Sequence, residues 1–448
     1  MITRTIDLPL SQFVDLKRTN VLMKLTTHLM KSITRLTLSL AVLVLTLGLT
    51  LLQSAQVSVP AQSNDPSRST VRSITLSADI TIYGGILLQT HVNDSKPMWF
   101  YLDSGASSAF ILDKRRASAL GIQLEQFLSR SGGAGPDFYE FAKAEGVSIS
   151  LSGLMFKDQS VGVLALAEIE EQFGGSIDGL VGIDLFTNYV VEVDYIDKKV
   201  RLHNPQTFTY SGSGDSIPLA LRDGHFFVPA KVELRGGAQL NGEFVVDTGG
   251  YQVTAVLTTP FAQSNNLPAP NQKTIFDRSM SGLGGETKVL VGRATSFTLG
   301  SSVLRAPLIY LSQDKGGALA SSEYDGLIGT EVLRRFKVIF DYSHRRLILE
   351  RNAHYDEPLE YGMSGISFRA YGNDFRTFRI YQVLEDSPAA KGGLRVGDVL
   401  LSVDDVPASR LTLEQIVQML KVEGREYRLR MKRGSETISV TIKMRRMI

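Results

Sequence analysis

Trp99-Phe100-Tyr101-Leu102-Asp103-Ser104-Gly105 and Gly242-Glu243-Phe244-Val245-Val246-Asp247-Thr248-Gly249-Gly250 set the same phrase twice in one chain: an apolar run, an aspartate, a hydroxyl residue and a glycine. The two aspartates are 144 positions apart (247 − 103 = 144). Downstream, Ile177-Asp178-Gly179-Leu180-Val181-Gly182 matches Tyr324-Asp325-Gly326-Leu327-Ile328-Gly329 at an offset of 147 (324 − 177 = 147). The same offset runs without a gap from Gly182 to Tyr195 against Gly329 to Tyr342. A repeat of this length implies two related lobes, residues 74–203 and 216–350, joined by the Gly- and Ser-containing stretch 204–214.

Each lobe reads as mostly β. Ile74, Leu76, Ala78, Ile80 and Ile82 alternate with polar residues at the period of a half-buried strand. Asn93-Asp94 and Asn241-Gly242 are turn pairs, and the second predicts a hairpin feeding a buried strand that ends at Asp247. A lone Asp-Ser/Thr-Gly is a good turn anywhere, since Asp bonds its own backbone and Gly tolerates positive φ. Two of them, each at the end of an apolar strand and each followed at a similar distance by the Asp-Gly-Leu block, point to chemistry.

Composition narrows that chemistry. The chain has 448 residues, enough for several domains, with 43% hydrophobic and 21% charged content, and a net charge of +2. It has no cysteine, which excludes thiolate catalysis, disulfides and cysteine-held zinc. Its six histidines form no His-x-x-x-His pair, and no phosphate-cradling loop or Gly-x-Ser-x-Gly elbow occurs. Hydrolytic chemistry would rest on carboxylates, with no metal or cofactor expected. No basic stretch interleaved with aromatics points to nucleic acid.

These motifs resemble the aspartic peptidases, closest to retropepsin-like enzymes with both halves in one chain, as in the pepsin-like members. The resemblance covers residues 74–350 and implies a two-lobed acid-protease β-barrel fold. It implies Asp103 and Asp247 as the catalytic pair acting on polypeptides, Ser104 and Thr248 bracing the two turns, and Gly105 and Gly249 completing them. With both aspartates in one polypeptide no dimer is needed, and a monomer is expected. Gly132, Gly133 and Gly135 in one lobe, and Gly282, Gly284 and Gly285 in the other, are candidate tips of flaps that close over the site. The alternative is a non-catalytic peptide-holding scaffold or chaperone, which would tolerate loss of either aspartate. A narrow processing peptidase with one physiological target is a further alternative.

From residue 360 to 446 the pattern changes. Ser387-Pro-Ala-Ala-Lys-Gly-Gly-Leu394 followed by Val396-Gly397-Asp398 resembles the core of a PDZ domain, a small α+β module. Leu413, Ile416, Val417 and Leu420 fall on one helical face, opened by a Thr412/Gln415 capping box and stopped at Gly424. The resemblance implies that Gly365-Ile366-Ser367-Phe368 binds a peptide's terminal carboxylate, with Ile366, Phe368 and Leu420 lining an apolar pocket. At the other end, Leu36 to Leu52 is almost wholly apolar, preceded by Lys24, Lys31 and Arg35 and followed by small residues. Residues 1–55 are expected to be a signal peptide or, through residues 36–52, a membrane anchor, with 56–73 a flexible linker. Met23 or Met30 reads as a better start than Met1. An exported protein, periplasmic or in the cell envelope, follows.

Overall fold

The computed structural model describes residues 73–125 and 129–448. The expected export segment and all of the linker except Ser73 fall outside the described residues. Those described belong to one compact unit.

The repeat becomes a six-stranded antiparallel sheet to which each lobe gives three strands. Its order is Ser73–Leu76, Lys199–His203, Val190–Asp194, Phe336–Asp341, Arg346–Arg351 and Asp215–Pro218. At its centre Val191 faces Phe340, Glu192 faces Ile339 and Val193 faces Val338. Glu192 and Ile339 are equivalent in the repeat (339 − 192 = 147), so a pseudo-two-fold axis passes between them. The apolar residues of both lobes join across this sheet in one core that includes Phe186, Val193, Phe226 and Phe340. Phe186 and Phe340 pack edge-on with centroids 4.8 Å apart, and burial of such large rings is the main stabilising term in a fold of this kind.

Each lobe then curls its own sheet. In the first, Met98–Leu102 pairs in parallel with Gly179–Val181, which pairs antiparallel with Phe110–Asp113. In the second, Gln239–Val246 pairs in parallel with Gly326–Ile328, which pairs antiparallel with Ala255–Leu257. A further pairing of Ile86–Val92 with Phe138–Leu151 curls the first sheet. The C-terminal domain has its own sheet, ordered Ile366–Tyr371, Thr377–Val383, Val399–Val403, Glu426–Arg433 and Glu436–Lys443, and its own core around Phe378, Ile416 and Leu429.

Three local expectations change. The alternating run from Ile74 is two strands: Ser73–Leu76 joins the shared sheet, while Ala78–Ile80 joins the first lobe's sheet. Period-two alternation marks a strand but cannot say which sheet receives it. The second lobe's hairpin turns at Gly236 and Gly237, with φ of 98° and 88°, and not at Asn241-Gly242. Those two lie inside the continuous strand Gln239–Val246, facing Lys231 and Ala230, because Gly242 serves close packing: a Cβ there would sit 2.8 Å from the Asp325 Cβ. Finally, the helix expected to stop at Gly424 spans Leu413–Met419, with the Thr412/Gln415 capping box in place. Gly424, at φ 76°, instead shapes the turn into the next strand.

Candidate active site

The parallel strand pairs deliver the two aspartates. The Asp103 N–H donates to the Val181 carbonyl at 2.9 Å and the Asp247 N–H to the Ile328 carbonyl at 2.9 Å. Each carboxylate then accepts from the glycine two residues on, Gly105 N–H to Asp103 Oδ1 and Gly249 N–H to Asp247 Oδ1, both at 2.8 Å. Asp178 and Asp325 secure the strand starts, accepting from the Trp99 and Glu243 N–H groups at 2.7 and 2.8 Å. These bonds obey the two-fold, so the two turns are near copies of each other.

The hydroxyls lock one turn to the other. Ser104 Oγ donates to the Val246 carbonyl at 2.7 Å and accepts from the Thr248 N–H at 3.0 Å. Thr248 Oγ1 donates to the Leu102 carbonyl at 2.8 Å and accepts from the Ser104 N–H at 2.9 Å. Both side chains are fully buried, so neither backbone group could turn to water if a hydroxyl were lost. Thr248→Val is therefore expected to lower stability by about 2–4 kcal/mol, while Thr248→Ser costs less than about 1 kcal/mol. Urea unfolding of the two variants beside the parent measures both. Equal midpoints for Thr248→Val and the parent would show that the brace carries no stability.

Across the brace the carboxyl groups meet. The carboxyls of Asp103 and Asp247 lie side by side, and both residues are half-buried. Each turn's glycine backs onto the opposite aspartate: a Cβ at Gly105 would lie 2.7 Å from Asp247 Oδ1, and one at Gly249 2.5 Å from Asp103 Oδ1. Any side chain at either position would push the pair apart. Both carboxyls are held above the ordinary carboxylate range. Burial is the main cause for each; for Asp247 the neighbouring Asp103 charge adds to it, while for Asp103 the Gly105 N–H opposes it.

At the C-terminal domain, Gly365 has φ 74° and leads into Ile366–Tyr371, an edge strand. Gly365, Ile366, Ser367 and Phe368 open onto a cavity of about 750 Å³. Leu420 lies in the domain core, and the helix side of the cavity is lined by Val417 and Lys421. Residues 88–185 match the family model described as aspartyl protease, and residues 379–433 match that of the PDZ domain. The chain carries an aspartyl protease domain and a PDZ domain. No curated protein matches it. Among solved structures, the crystal structure of aspartic proteinase from Irpex lacteus is similar over 64% of this chain and 98% of that one, at 13% identity and a TM-score of 0.40.

Within the protease domain the two glycine-rich tips touch each other. The Gly135 N–H donates to the Leu283 carbonyl at 2.8 Å and the Asp137 N–H to the Gly284 carbonyl at 3.0 Å. The second tip is a short hairpin pairing Ser281–Gly282 with Gly285–Glu286. Leu283 at its end packs against the cluster containing Tyr101 and Leu180, which flank the Asp103 turn. The first tip is held again by the Ala318 N–H on the Gly133 carbonyl at 2.8 Å.

Sequence reading missed three supports of this site. Tyr101 donates its hydroxyl to the Thr248 carbonyl at 3.1 Å. Tyr251 and Phe173 pack beside it, with the Phe173 ring 5.6 Å from Tyr101 and 5.1 Å from Tyr251. Tyr101 had a signal, being a polar-tipped ring inside a buried run. Phe173 had none, because only folding brings it to the turns.

Proposed function

We propose that this chain is an aspartic endopeptidase whose PDZ domain binds the carboxy-termini of peptides. The observation that carries the reading is the adjacency of the Asp103 and Asp247 carboxyls across two cross-braced turns. Two carboxyls in contact cannot both ionise, so they share one proton, as is known of aspartic proteases. Burial raises both carboxyls, and the pair holds one proton between them, so that one acts as base and the other as acid. The ionised carboxylate of the pair takes a proton from a water molecule, whose oxygen bonds to the scissile carbonyl carbon. Its protonated partner gives a proton to the carbonyl oxygen, and collapse of the tetrahedral species with protonation of the amine breaks the C–N bond. The touching tips act as flaps that part to admit substrate and exclude bulk water on closing. The apolar 36–52 segment leads us to place the enzyme outside the cytoplasm, a reading that fractionation of cells expressing the full chain tests.

Peptide-library cleavage read by mass spectrometry from about pH 3 to 8 tests the chemistry. Cuts made by the parent and abolished in both Asp103→Asn and Asp247→Asn support it. A parent that binds library peptides and cuts none would support a peptide-holding scaffold instead.

A further inference from the structure

The PDZ domain meets the protease domain through the part of its surface that an incoming peptide strand would use. Among the described residues the free edge of Ile366–Tyr371 has no strand beside it; on its other edge it pairs with Thr377–Val383. The protease helix Ala167–Phe173 packs against this strand. Burial, and then the nearby Glu171 carboxylate, raise the pKa of the Tyr371 phenol, which puts Glu171 beside the strand's far end. Just past the helix, a Cβ at Gly174 would lie 2.6 Å from that of Leu413, the first residue of the PDZ helix. The groove between strand and helix is thus stopped at one end by the protease domain, while its other end, at Gly365–Phe368, opens into the 750 Å³ cavity.

That open end is furnished for a carboxylate. Ile366, Phe368 and Val417 give it an apolar wall. The acids that line it are already engaged: Glu331 and Glu357 by Arg334, Glu360 by Arg293 and Arg446, and Asp277 by the Tyr361 hydroxyl. Lys421, which also lines the cavity, lies over the Tyr83 ring, 4.6 Å from its centroid.

The same helix also ties down a flap. Gln172 Oε1 accepts from the Ser281 N–H at 2.7 Å. From the PDZ side, Arg369 donates to the Ser279 carbonyl at 2.6 Å and to Ser281 Oγ at 2.9 Å, and the Tyr381 hydroxyl donates to Glu286 at 2.5 Å. The second flap is therefore clamped at its root by both domains, and Phe173, at the helix end, packs on Tyr101 beside the aspartates.

We infer that the Ala167–Phe173 helix is a latch: it blocks the PDZ groove and holds the second flap shut, and a peptide with a free carboxy-terminus displaces it and activates the protease. A carboxylate held at Gly365–Phe368 must send its preceding residues along Ile366–Tyr371 at about 3.3 Å per residue, into the space that Glu171 and Gly174 occupy. Binding and latching exclude each other, so each weakens the other by the same factor.

The test uses the full chain and a Glu171→Ala/Gln172→Ala variant, which loosens the latch and leaves both aspartates untouched. The probes are fluorescein-labelled hexapeptides ending in Leu, Val or Phe, as free acids and as C-terminal amides. Fluorescence anisotropy is expected to show the variant binding a free acid about tenfold more tightly than the parent, because the cost of opening the groove is removed. The amides should bind neither protein well. Saturating free acid should raise kcat/KM on a cleaved reporter peptide about tenfold in the parent and little in the variant. Equal affinities of parent and variant for every free acid would overturn the latch. So would a parent whose binding is the same for acid and amide. The activity arm rests on the peptidase reading. The anisotropy arm does not, so a protein that latches but never cuts would sink that reading and leave the latch standing.

Discussion

Asp103→Asn and Asp247→Asn are each expected to lower kcat/KM on any cleaved peptide by about 10³-fold or more, because either change removes the base or the acid from a pair that works only together. The same variants are expected to gain stability at neutral pH. Both carboxyls are raised above their ordinary value of 3.8 in the fold. The native state therefore holds a proton that the unfolded chain releases as pH rises past that value, and stability falls as pH climbs through the interval up to the folded-state pKa. Below it, both states are protonated and the penalty vanishes. Asparagine keeps the shape and cannot ionise. Asp247→Asn, at a carboxyl raised by burial and by the Asp103 charge, should gain on the order of 1–2 kcal/mol at about pH 7 and nearly nothing at about pH 3. Thermal melts of parent and variant at the two pH values read the difference. A variant that loses activity but gains nothing at neutral pH would mean that the aspartates are not held against their charges. The expected pattern has a general cause: a group poised for proton transfer is kept where its charge is uncomfortable.

Arg335→Met should be among the most destabilising single changes in the chain. Arg335 is fully buried, its Nε donates to the Glu331 carbonyl at 2.9 Å, and its Nη1 donates to the carbonyls of His354, Tyr355 and Glu357 at 2.6, 3.3 and 2.8 Å. It thus pins the segment that leaves the second lobe for the PDZ domain onto the block that threads beside Asp247. Burial pushes its guanidinium pKa down, and the Arg334 charge adds to this, against attraction from Glu331 and Glu357. Methionine would fill much of the volume and leave these carbonyls without their donor. The expected cost is about 3–5 kcal/mol. Lysine should not rescue it, since one ammonium cannot reproduce the planar fork. Urea denaturation gives the cost, and limited proteolysis between residues 352 and 362 should show faster cutting. A loss below about 1 kcal/mol would mean that water replaces the guanidinium without strain.

Arg335 also shows where self-comparison stops. Its partner in the repeat is Asn188 (335 − 188 = 147), so the clamp is an addition to one lobe. The arginine stands in a repeated block that also carries Glu331, Arg334 and Lys337, and nothing local says that it is the one that turns inward. The same holds in the PDZ domain, where helical periodicity placed Leu420 correctly on the inner face but could not separate the groove wall from the core behind it. Leu420 is 3% exposed and belongs to that core, while Val417 and Lys421 meet the cavity.

The amino-acid sequence alone was enough for the doubled Asp-Ser/Thr-Gly phrase, its two hydroxyl partners, the repeat of the Asp-Gly-Leu blocks, the β character of the lobes and the capped PDZ helix. These features are written by neighbouring residues, since turn chemistry, alternation and capping act over a few positions and recur when a lobe is duplicated. Left to the folded chain were the register of Glu192 against Ile339, the true hairpin at Gly236-Gly237, the contact of the two glycine-rich tips, and the packing of the Ala167–Phe173 helix against the PDZ strand Ile366–Tyr371. Each of the last two joins segments that lie far apart in the chain, and no local pattern records them. They arise because buried backbone groups and apolar faces must find partners, and the partner is set by which surfaces the assembled lobes leave open.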